Sequence, residues 1–258
     1  MILDEIAKKT VARISEEKKK LPATEIRTMA EALPVTAERP FYDALKAPGI
    51  SFICEVKKAS PSKGVIAEDF PYTSIAREYE QAGANAISCL TEPFFFQGSD
   101  TYLKEIVQTV KIPVLRKDFT VDPYMIYQAK LLGASAVLLI CAILDPSEIA
   151  EYQAIAEELG LSALVETHDE HEIETALSAG AKIVGVNNRD LRDFTVDINN
   201  SVRLRKHVSG EIAFVSESGI KTREDIARLV ENGTDAVLIG ETLMRSPDKK
   251  KTLDALRV

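Results

Sequence analysis

The 258-residue sequence has only three cysteines and no long apolar segment, and each shortage excludes a class of protein. Cys54, Cys89 and Cys141 are odd in number and widely spaced inside apolar runs, which indicates buried, reduced thiols rather than a disulfide framework. No stretch approaches the roughly 20 apolar residues that a membrane-spanning helix needs. We therefore expect a cytoplasmic protein that does not interact with a membrane.

Basic residues are also fewer than acidic ones. The chain has 32 Lys and Arg against 40 Asp and Glu, a formal net charge of −8 at pH 7. A nucleic-acid-binding surface requires a basic patch, so we expect no nucleic-acid partner. An anionic small molecule remains possible if a few cations are concentrated in one cleft. The sequence also lacks a G-x-G-x-x-G motif after its first apolar run, which argues against a dinucleotide-binding fold.

One pattern occurs eight times: a short apolar run that ends on a polar or charged residue or on glycine, followed by a helical segment. Eight such units favour a closed barrel over an open sheet. We predict an α/β protein, a single-domain (β/α)8 TIM barrel over residues 48–258 with an N-terminal helical extension over residues 1–47. The strands are predicted near 51–57, 85–91, 112–118, 135–141, 161–166, 182–187, 212–217 and 235–240.

The polar residues at the ends of these runs are candidates for an active site, because the carboxyl ends of barrel strands meet at one mouth. Each has a structural alternative: an ion pair, a salt bridge at a strand end, or a helix cap. Gathered at one rim, two lysines and two glutamates are better explained as an acid–base set. Partial burial and neighbouring lysines are expected to lower a lysine pKa toward roughly 7–8. The set is Glu55, Lys57, Lys117, Glu166, Asn187 and Ser218.

Glycine turns after the last two strands predict a phosphate site. Ser218-Gly219 follows strand seven and Gly240-Glu241 follows strand eight, where barrels that bind sugar phosphates commonly hold the anion. The alternative is an ordinary tight turn at each position. The loop SPSKG (60–64) is either turn chemistry or a substrate loop, and the run Phe94–Phe96 is either a core plug or an aromatic wall.

Metal binding is not expected from the histidines. His168 and His171 are three residues apart, but no third ligand is apparent, and the acidic residues around them are typical of the start of a helix. The third histidine, His207, is expected on a helix surface.

Eight motifs carry a resemblance to a known family, and they span nearly the whole chain. They are CEVKKASPSKG (54–64), SCLTEPFFFQGS (88–99), LRKDF (115–119), LLICAIL (138–144), ALVETH (163–168), GVNNRDL (185–191), SESGI (216–220) and LIGETLM (238–244). In this order they resemble the indole-3-glycerol-phosphate synthases of tryptophan biosynthesis. The resemblance implies a small sugar-phosphate substrate that carries an anthranilate group, and neither a cofactor nor a metal.

The same resemblance implies a role for each matching residue. Lys117 would be the general acid that protonates the substrate ketone, and Glu166 the general base in the later dehydration. Lys57 would bind substrate anions and is an alternative acid for that second step, so the two lysine roles are not separable from sequence. Glu55 and Asn187 would orient the reacting groups, and Ser60 and Arg189 would support the site.

The remaining matches form a phosphate site and a ring wall. Ser218, Gly219, Gly240 and the Glu241 backbone would hold the phosphate, and Phe96, Phe119, Leu138 and Leu191 would line the anthranilate ring. A carboxylate at position 241 fits beside a phosphate only if its side chain turns away, toward Arg245. The leader helices would cover the mouth and keep intermediates from water.

Other functions remain open to the same residues. A Schiff-base aldolase would use Lys117, and a ketose isomerase would use Glu166. A non-catalytic barrel would be expected to have lost some of the charges at the mouth, and all of those expected are present. From the polar surface and the covered mouth we expect a monomer.

Overall fold

The computed structural model describes residues 2–190 and 192–258, and eight parallel strands in it close into a barrel in which each strand lies beside the next one along the chain. The barrel prediction is confirmed. A two-stranded hairpin, β2–β3, was not predicted, since two-residue strands are too short to show alternation. The strands are β1 (Ser51–Val56), β2 (Ala59–Ser60), β3 (Gly64–Val65), β4 (Ala86–Leu90), β5 (Val114–Lys117), β6 (Ala136–Ile140), β7 (Ser162–Thr167), β8 (Ile183–Asn187), β9 (Ala213–Glu217) and β10 (Ala236–Ile239).

Helices connect successive barrel strands, and local sequence signals begin and end them. Asp145 and Glu148 form a capping box at the start of the helix Pro146–Glu158, and Gly133 ends the helix Pro123–Leu132 in the left-handed conformation with φ 83°. None of the described helices is long and apolar enough to cross a membrane. They are α1 (Ile2–Lys20), α2 (Ala23–Glu31), α3 (Pro40–Leu45), α4 (Tyr72–Gln81), α5 (Asp100–Thr109), α6 (Pro123–Leu132), α7 (Pro146–Glu158), α8 (Glu170–Ser178), α9 (Asn199–Leu204), α10 (Arg223–Glu231), α11 (Glu241–Met244) and α12 (Lys249–Leu256).

The strands separate two apolar layers, because side chains alternate along each strand. Leu115, Leu164 and Ile183 belong to the cluster inside the barrel. Cys54 and Val184 belong to the larger cluster between the barrel and its helices. Cys54 therefore lies outside the barrel, under the helices. Fully burying aliphatic side chains of this size contributes about 1.5–3 kcal/mol each.

The N-terminal segment contacts both ends of the barrel. Helix α3 buries Phe41 and Leu45 against the inner cluster, and Lys46 beyond it pairs with Asp235 at 2.7 Å, so α3 closes the end where the strands begin. Helix α1 instead lines the cavity at the opposite end, where the strands finish. The leader was expected to cover the mouth; of its helices, α1 lies there, whereas α2 packs on α6.

A buried ion pair fastens α1 to the barrel beside the mouth. Arg13 Nη2 lies 2.9 Å from Asp118 Oδ2, and the two side chains are 12% and 1% exposed. Asp118 also accepts hydrogen bonds from Thr91 Oγ1 and from the Phe119 backbone N–H. Since Asp118 directly follows Lys117 in the chain, α1 is held against the same strand end that carries a predicted catalytic lysine.

Arg13→Met should lower the free energy of unfolding by about 2 kcal/mol, because it removes the 2.9 Å ion pair of the buried Asp118 carboxylate and leaves only the Arg116 guanidinium at 3.7 Å. Urea denaturation measures the loss. Lys19→Met is the matched control on the same helix, since the Lys19–Glu16 pair is exposed and should contribute less than about 0.5 kcal/mol. Equal losses in the two variants would contradict the fastening role of Arg13.

Candidate active site

A cavity of about 590 Å³ opens at the carboxyl ends of the strands, where the sequence predicted the site. Every predicted site residue within the described parts of the chain lines it; Leu191 lies outside them. The hairpin β2–β3 brings Ser60 and Lys63 to its edge, which favours a substrate loop over plain turn chemistry. The predicted residues that line the cavity are Glu55, Lys57, Ser60, Phe96, Lys117, Phe119, Leu138, Glu166, Asn187, Arg189, Ser218, Gly219, Gly240 and Glu241.

Lys117 at the end of β5 is the centre of the charged cluster. Its Nζ donates to Glu166 Oε2 at 2.8 Å and to Glu217 Oε2 at 2.7 Å, and these side chains are 13%, 5% and 3% exposed. Asn187 Nδ2 donates to Glu166 Oε1 at 3.1 Å. One ammonium therefore links carboxylates that lie on β7 and β9, 49 and 100 residues further along the chain.

The expected lowering of the lysine pKa is wrong for Lys117. Burial lowers the pKa of the Lys117 ammonium, but the carboxylates of Glu166, Glu217 and Glu55 raise it more, and the result is a pKa above the ordinary value. The prediction assumed that neighbouring lysines would dominate, whereas the barrel surrounds Lys117 with carboxylates. An ammonium held in this way is a weak acid until its surroundings change.

Glu217 is a site residue that the sequence-based assignment missed. It ends β9 just before Ser218 and lines the cavity. Burial and the negative charge of Glu166 raise the pKa of Glu217 despite the opposing effect of Lys117. Its Oε1 atom is buried with no hydrogen-bond partner in the part of the chain that the structure describes. The run IAFVSE (212–217) visibly ends on a charged residue, but the sequence analysis chose the next residue, Ser218, as the candidate.

The two carboxylates that share Lys117 differ in their surroundings. Burial raises the pKa of Glu166, but Lys117, His168 and the Asn187 amide lower it more, and the net pKa lies below the ordinary value. Glu217 has fewer partners and the opposite shift. Two acids with pKa values moved apart beside one ammonium are typical of acid–base sites.

A second ion pair lies beside the first. Lys57 Nζ is 2.7 Å from Glu55 Oε1, and both side chains are largely buried. A Cβ atom at Gly240 would stand 2.5 Å from that same glutamate oxygen and 3.0 Å from Lys57 Nζ. The absence of a side chain at position 240 therefore lets the Glu55–Lys57 pair pack directly against the predicted phosphate turn.

The predicted phosphate turn after β9 has an unusual backbone. Ser218 and Gly219 both have positive φ, 69° and 83°, and this conformation is strained for a serine. Asn188 holds the turn from behind: its Nδ2 donates to the Ser218 carbonyl and to Ser216 Oγ, and its Oδ1 accepts from Ser201. Asn188 is a supporting residue that lies in the motif GVNNRDL but was not singled out.

The Glu241 side chain is turned toward cations rather than into the turn. Arg245 Nε donates to its Oε1 at 3.1 Å, and Lys63 Nζ of the hairpin lies 3.7 Å from the same oxygen. This is the orientation toward Arg245 that a phosphate at this turn requires. The second contact also links the hairpin loop to the turn after β10.

The apolar side of the cavity combines barrel and leader residues. The rings of Phe96 and Phe119 lie 5.9 Å apart, and Leu138 lines the same space. Ile2, Leu3 and Ile6 of α1 complete the wall. Of the run Phe94–Phe96, Phe94 is exposed and Phe95 packs on the inner cluster under Lys9, so the run contributes one ring to the cavity.

Metal-ligating residues are not grouped in the described ranges: no cluster there has three or more His, Cys, Asp or Glu side chains that could hold an ion. Instead of facing a metal, His168 lies between Glu166 and Glu172. His171 is exposed near the start of α8, and His207 lies beside Glu170 at 3.4 Å.

Comparison with known proteins identifies close relatives. A family model described as indole-3-glycerol phosphate synthase matches residues 3–256. The indole-3-glycerol phosphate synthase of Ruminiclostridium cellulolyticum is 57% identical over 257 residues, which cover 100% of this chain and 99% of the relative. That of Endomicrobium trichonymphae is 54% identical over 259 residues, with 100% of each chain covered.

Solved structures of low identity share the fold. A 3-hexulose-6-phosphate synthase superposes with a TM-score of 0.65 at 15% identity, covering 81% of this chain and 98% of that one. A thiamine phosphate pyrophosphorylase from Pyrococcus furiosus superposes with a TM-score of 0.61 at 17% identity, covering 84% and 95%. At these identities the likeness shows the barrel architecture alone.

Gly185→Ala should displace Glu217 from Lys117, because a Cβ at position 185 would stand 2.3 Å from Glu217 Oε1 and 3.1 Å from Leu164. We expect a longer Lys117–Glu217 distance in the crystal structure of the variant. We also expect a loss of about 1–3 kcal/mol in the free energy of unfolding, typical of overpacking.

Gly210→Ala is the matched control, since a Cβ there meets no described atom within 4 Å. An unchanged Lys117–Glu217 contact in the Gly185→Ala crystal structure would show that Gly185 does not make the space for this carboxylate.

Proposed function

The chain belongs to the indole-3-glycerol phosphate synthase family, and from this premise we propose how its residues divide the reaction between them. The function that the site supports best is the decarboxylating ring closure and dehydration of 1-(2-carboxyphenylamino)-1-deoxy-D-ribulose 5-phosphate. The products are indole-3-glycerol phosphate, CO2 and water, a step of tryptophan biosynthesis. The observation that carries the proposal is the Lys117 ammonium shared by Glu166 and Glu217 beside an apolar wall.

The substrate has an anionic end and an aromatic end, and the cavity has matching sides. The phosphate is proposed to bind the backbone N–H groups of Ser218, Gly219, Gly240 and Glu241. Lys57 packs against Gly240, which supports a role for it in binding substrate anions. The anthranilate ring is proposed to lie against Phe96, Phe119 and Leu138.

Lys117 is the proposed general acid of ring closure. As the aromatic carbon attacks the ketone carbon, the ketone oxygen takes the proton from the Lys117 ammonium. The ring then loses CO2 and regains aromaticity. A ketone oxygen that replaces a glutamate as hydrogen-bond partner removes part of the negative charge that raises the Lys117 pKa, and so makes the ammonium a stronger acid. The raised pKa of Glu217 supports the same step, because a protonated Glu217 no longer stabilises the ammonium.

Glu166 is the proposed general base of the dehydration. Its low pKa keeps the carboxylate ionised near neutral pH, and the Asn187 amide fixes its orientation. The hydroxyl formed in ring closure leaves as water after protonation by a lysine. Glu55 is proposed to orient Lys57 through their 2.7 Å ion pair. Arg189 donates its backbone N–H to Asn187 Oδ1, which supports a positioning role, and Ser60 is proposed to support the site from the hairpin.

The domain boundaries, the oligomeric state and the cellular location are further parts of the proposal. We propose a helical extension over residues 1–47 and a barrel over residues 48–258 that act as one structural unit. We also propose a monomer, because one chain supplies the acid–base residues, the phosphate turns and the apolar wall of the cavity; light scattering should give the mass of one chain. The free, mostly buried cysteines support a cytoplasmic location.

Lys117→Ala should abolish ring closure but leave phosphate-dependent binding largely intact, because the phosphate turns lie on other strands. Indole fluorescence with the carboxyphenylamino-deoxyribulose phosphate measures turnover, and calorimetry with a reduced, unreactive analogue measures binding. The exposed Lys111→Ala is the control. Near-normal turnover in Lys117→Ala would refute the proposed role.

Glu166→Gln should reduce kcat far more than it changes KM, since the amide keeps the shape and the hydrogen bond to Lys117 but cannot take a proton. Loss of a general base typically costs about 10²–10⁴-fold in rate. Steady-state kinetics with the same substrate measure kcat and KM separately. A large increase in KM with normal kcat would make Glu166 a binding group instead.

A further inference from the structure

His168 stands between two carboxylates on the side of Glu166 away from the cavity. It directly follows β7, and its side chain is 20% exposed. Its Nδ1 lies 3.1 Å from Glu172 Oε2, and its backbone N–H donates to the same oxygen at 2.7 Å. Its Nε2 lies 3.7 Å from Glu166 Oε1. Asn200 of α9 donates to the His168 carbonyl and fixes the chain at this point.

Each ring nitrogen of His168 faces one carboxylate, and this arrangement favours the protonated, positively charged ring. A neutral imidazole has a single N–H, so in either tautomer one nitrogen lone pair faces a carboxylate. Only the imidazolium presents an N–H to both Glu166 and Glu172. The His168 Nε2 atom is buried and without a hydrogen-bond partner among residues 2–190 and 192–258, so its most favourable available interaction is with the charge of Glu166.

The charged groups around His168 also favour a positively charged ring. Burial by itself lowers the pKa of His168, but the Glu172 hydrogen bond and the charges of Glu166, Glu172 and Glu217 raise it above the ordinary value. Lys117 is the opposing cation, on the far side of Glu166. The titratable or charged groups near the ring or its two carboxylates are Lys117 on β5, Cys141 after β6, Glu166 on β7, Glu172 on α8, Asp190 after β8 and Glu217 on β9.

We propose that His168 is a positioning residue for the reaction: as an imidazolium anchored by Glu172, it holds the Glu166 carboxylate ionised and oriented. The proposal rests on the proposed role of Glu166 as the general base. When the substrate ketone engages Lys117, Glu166 loses part of its contact with that cation. His168 remains as the cation behind it, so Glu166 stays available as a base for the second half of the reaction.

Histidine NMR of the wild-type protein tests the charge state without any change in the site. The chain has three histidines, and His171→Gln and His207→Gln assign the signals by removal. We expect His168 to titrate above the ordinary histidine value of about 6.5, and Glu172→Gln to lower its midpoint. A His168 midpoint at or below the ordinary histidine value would overturn the proposal.

The pH profile of kcat tests the effect on Glu166. His168→Gln removes the nearby positive charge, so the Glu166 pKa rises and the acid limb of kcat moves to higher pH. An opposite charge at this distance typically accounts for about 1–3 pH units. KM for the substrate at pH 8 should change little, because His168 does not line the cavity. His171→Gln, three residues further along the chain in the first turn of α8, should leave the limb in place.

The outcomes separate this inference from the proposed function. If Glu166→Gln abolishes turnover but His168→Gln leaves the acid limb unmoved, Glu166 is catalytic and the proposed role of His168 is wrong. If Glu166→Gln retains turnover, the proposed role of Glu166 fails first. In that case the NMR titration still decides whether His168 is the imidazolium of this cluster.

Discussion

The ion pair that Lys117 makes with Glu166 and Glu217 is the interaction on which the rest of the site depends. Burying charges is expensive unless they are paired, and the barrel interior beneath this cluster is apolar. Each of the three groups alone would be unfavourable at the end of an apolar strand. Together they reduce one another's desolvation cost, and they also bring strands β5, β7 and β9 into one chemical unit.

Several features of the fold hold this cluster in position. Gly185 leaves the space that the Glu217 carboxylate occupies, and Gly240 leaves the space for the Glu55–Lys57 pair. The Asn188 network holds the strained Ser218 turn. The Arg13–Asp118 pair holds α1, and therefore one wall of the cavity, next to Lys117. Small changes at these positions are expected to act through geometry rather than through lost chemistry.

The sequence predicted the barrel and the cavity residues well, because both depend on strand ends, which are marked by abrupt changes from apolar to charged residues. Prediction from the sequence failed for properties that depend on distances between residues in the folded protein. The pKa of Lys117 is set by which charges surround it, and that required the register of β5, β7 and β9. The position of α3 at the far end of the barrel was also not foreseen, since the leader helices were expected over the mouth. The hairpin β2–β3 was missed because two-residue strands show no alternation.

A crystal structure with an unreactive analogue, in which the substrate ketone is reduced to an alcohol, tests the central claim most directly. The expected structure has Lys117 Nζ within about 3 Å of that oxygen. The phosphate should lie against the turns of Ser218–Gly219 and Gly240–Glu241. If Lys117 instead remains bound to both glutamates while the oxygen is held by Lys57 or by no cation, Lys117 is not the acid of ring closure.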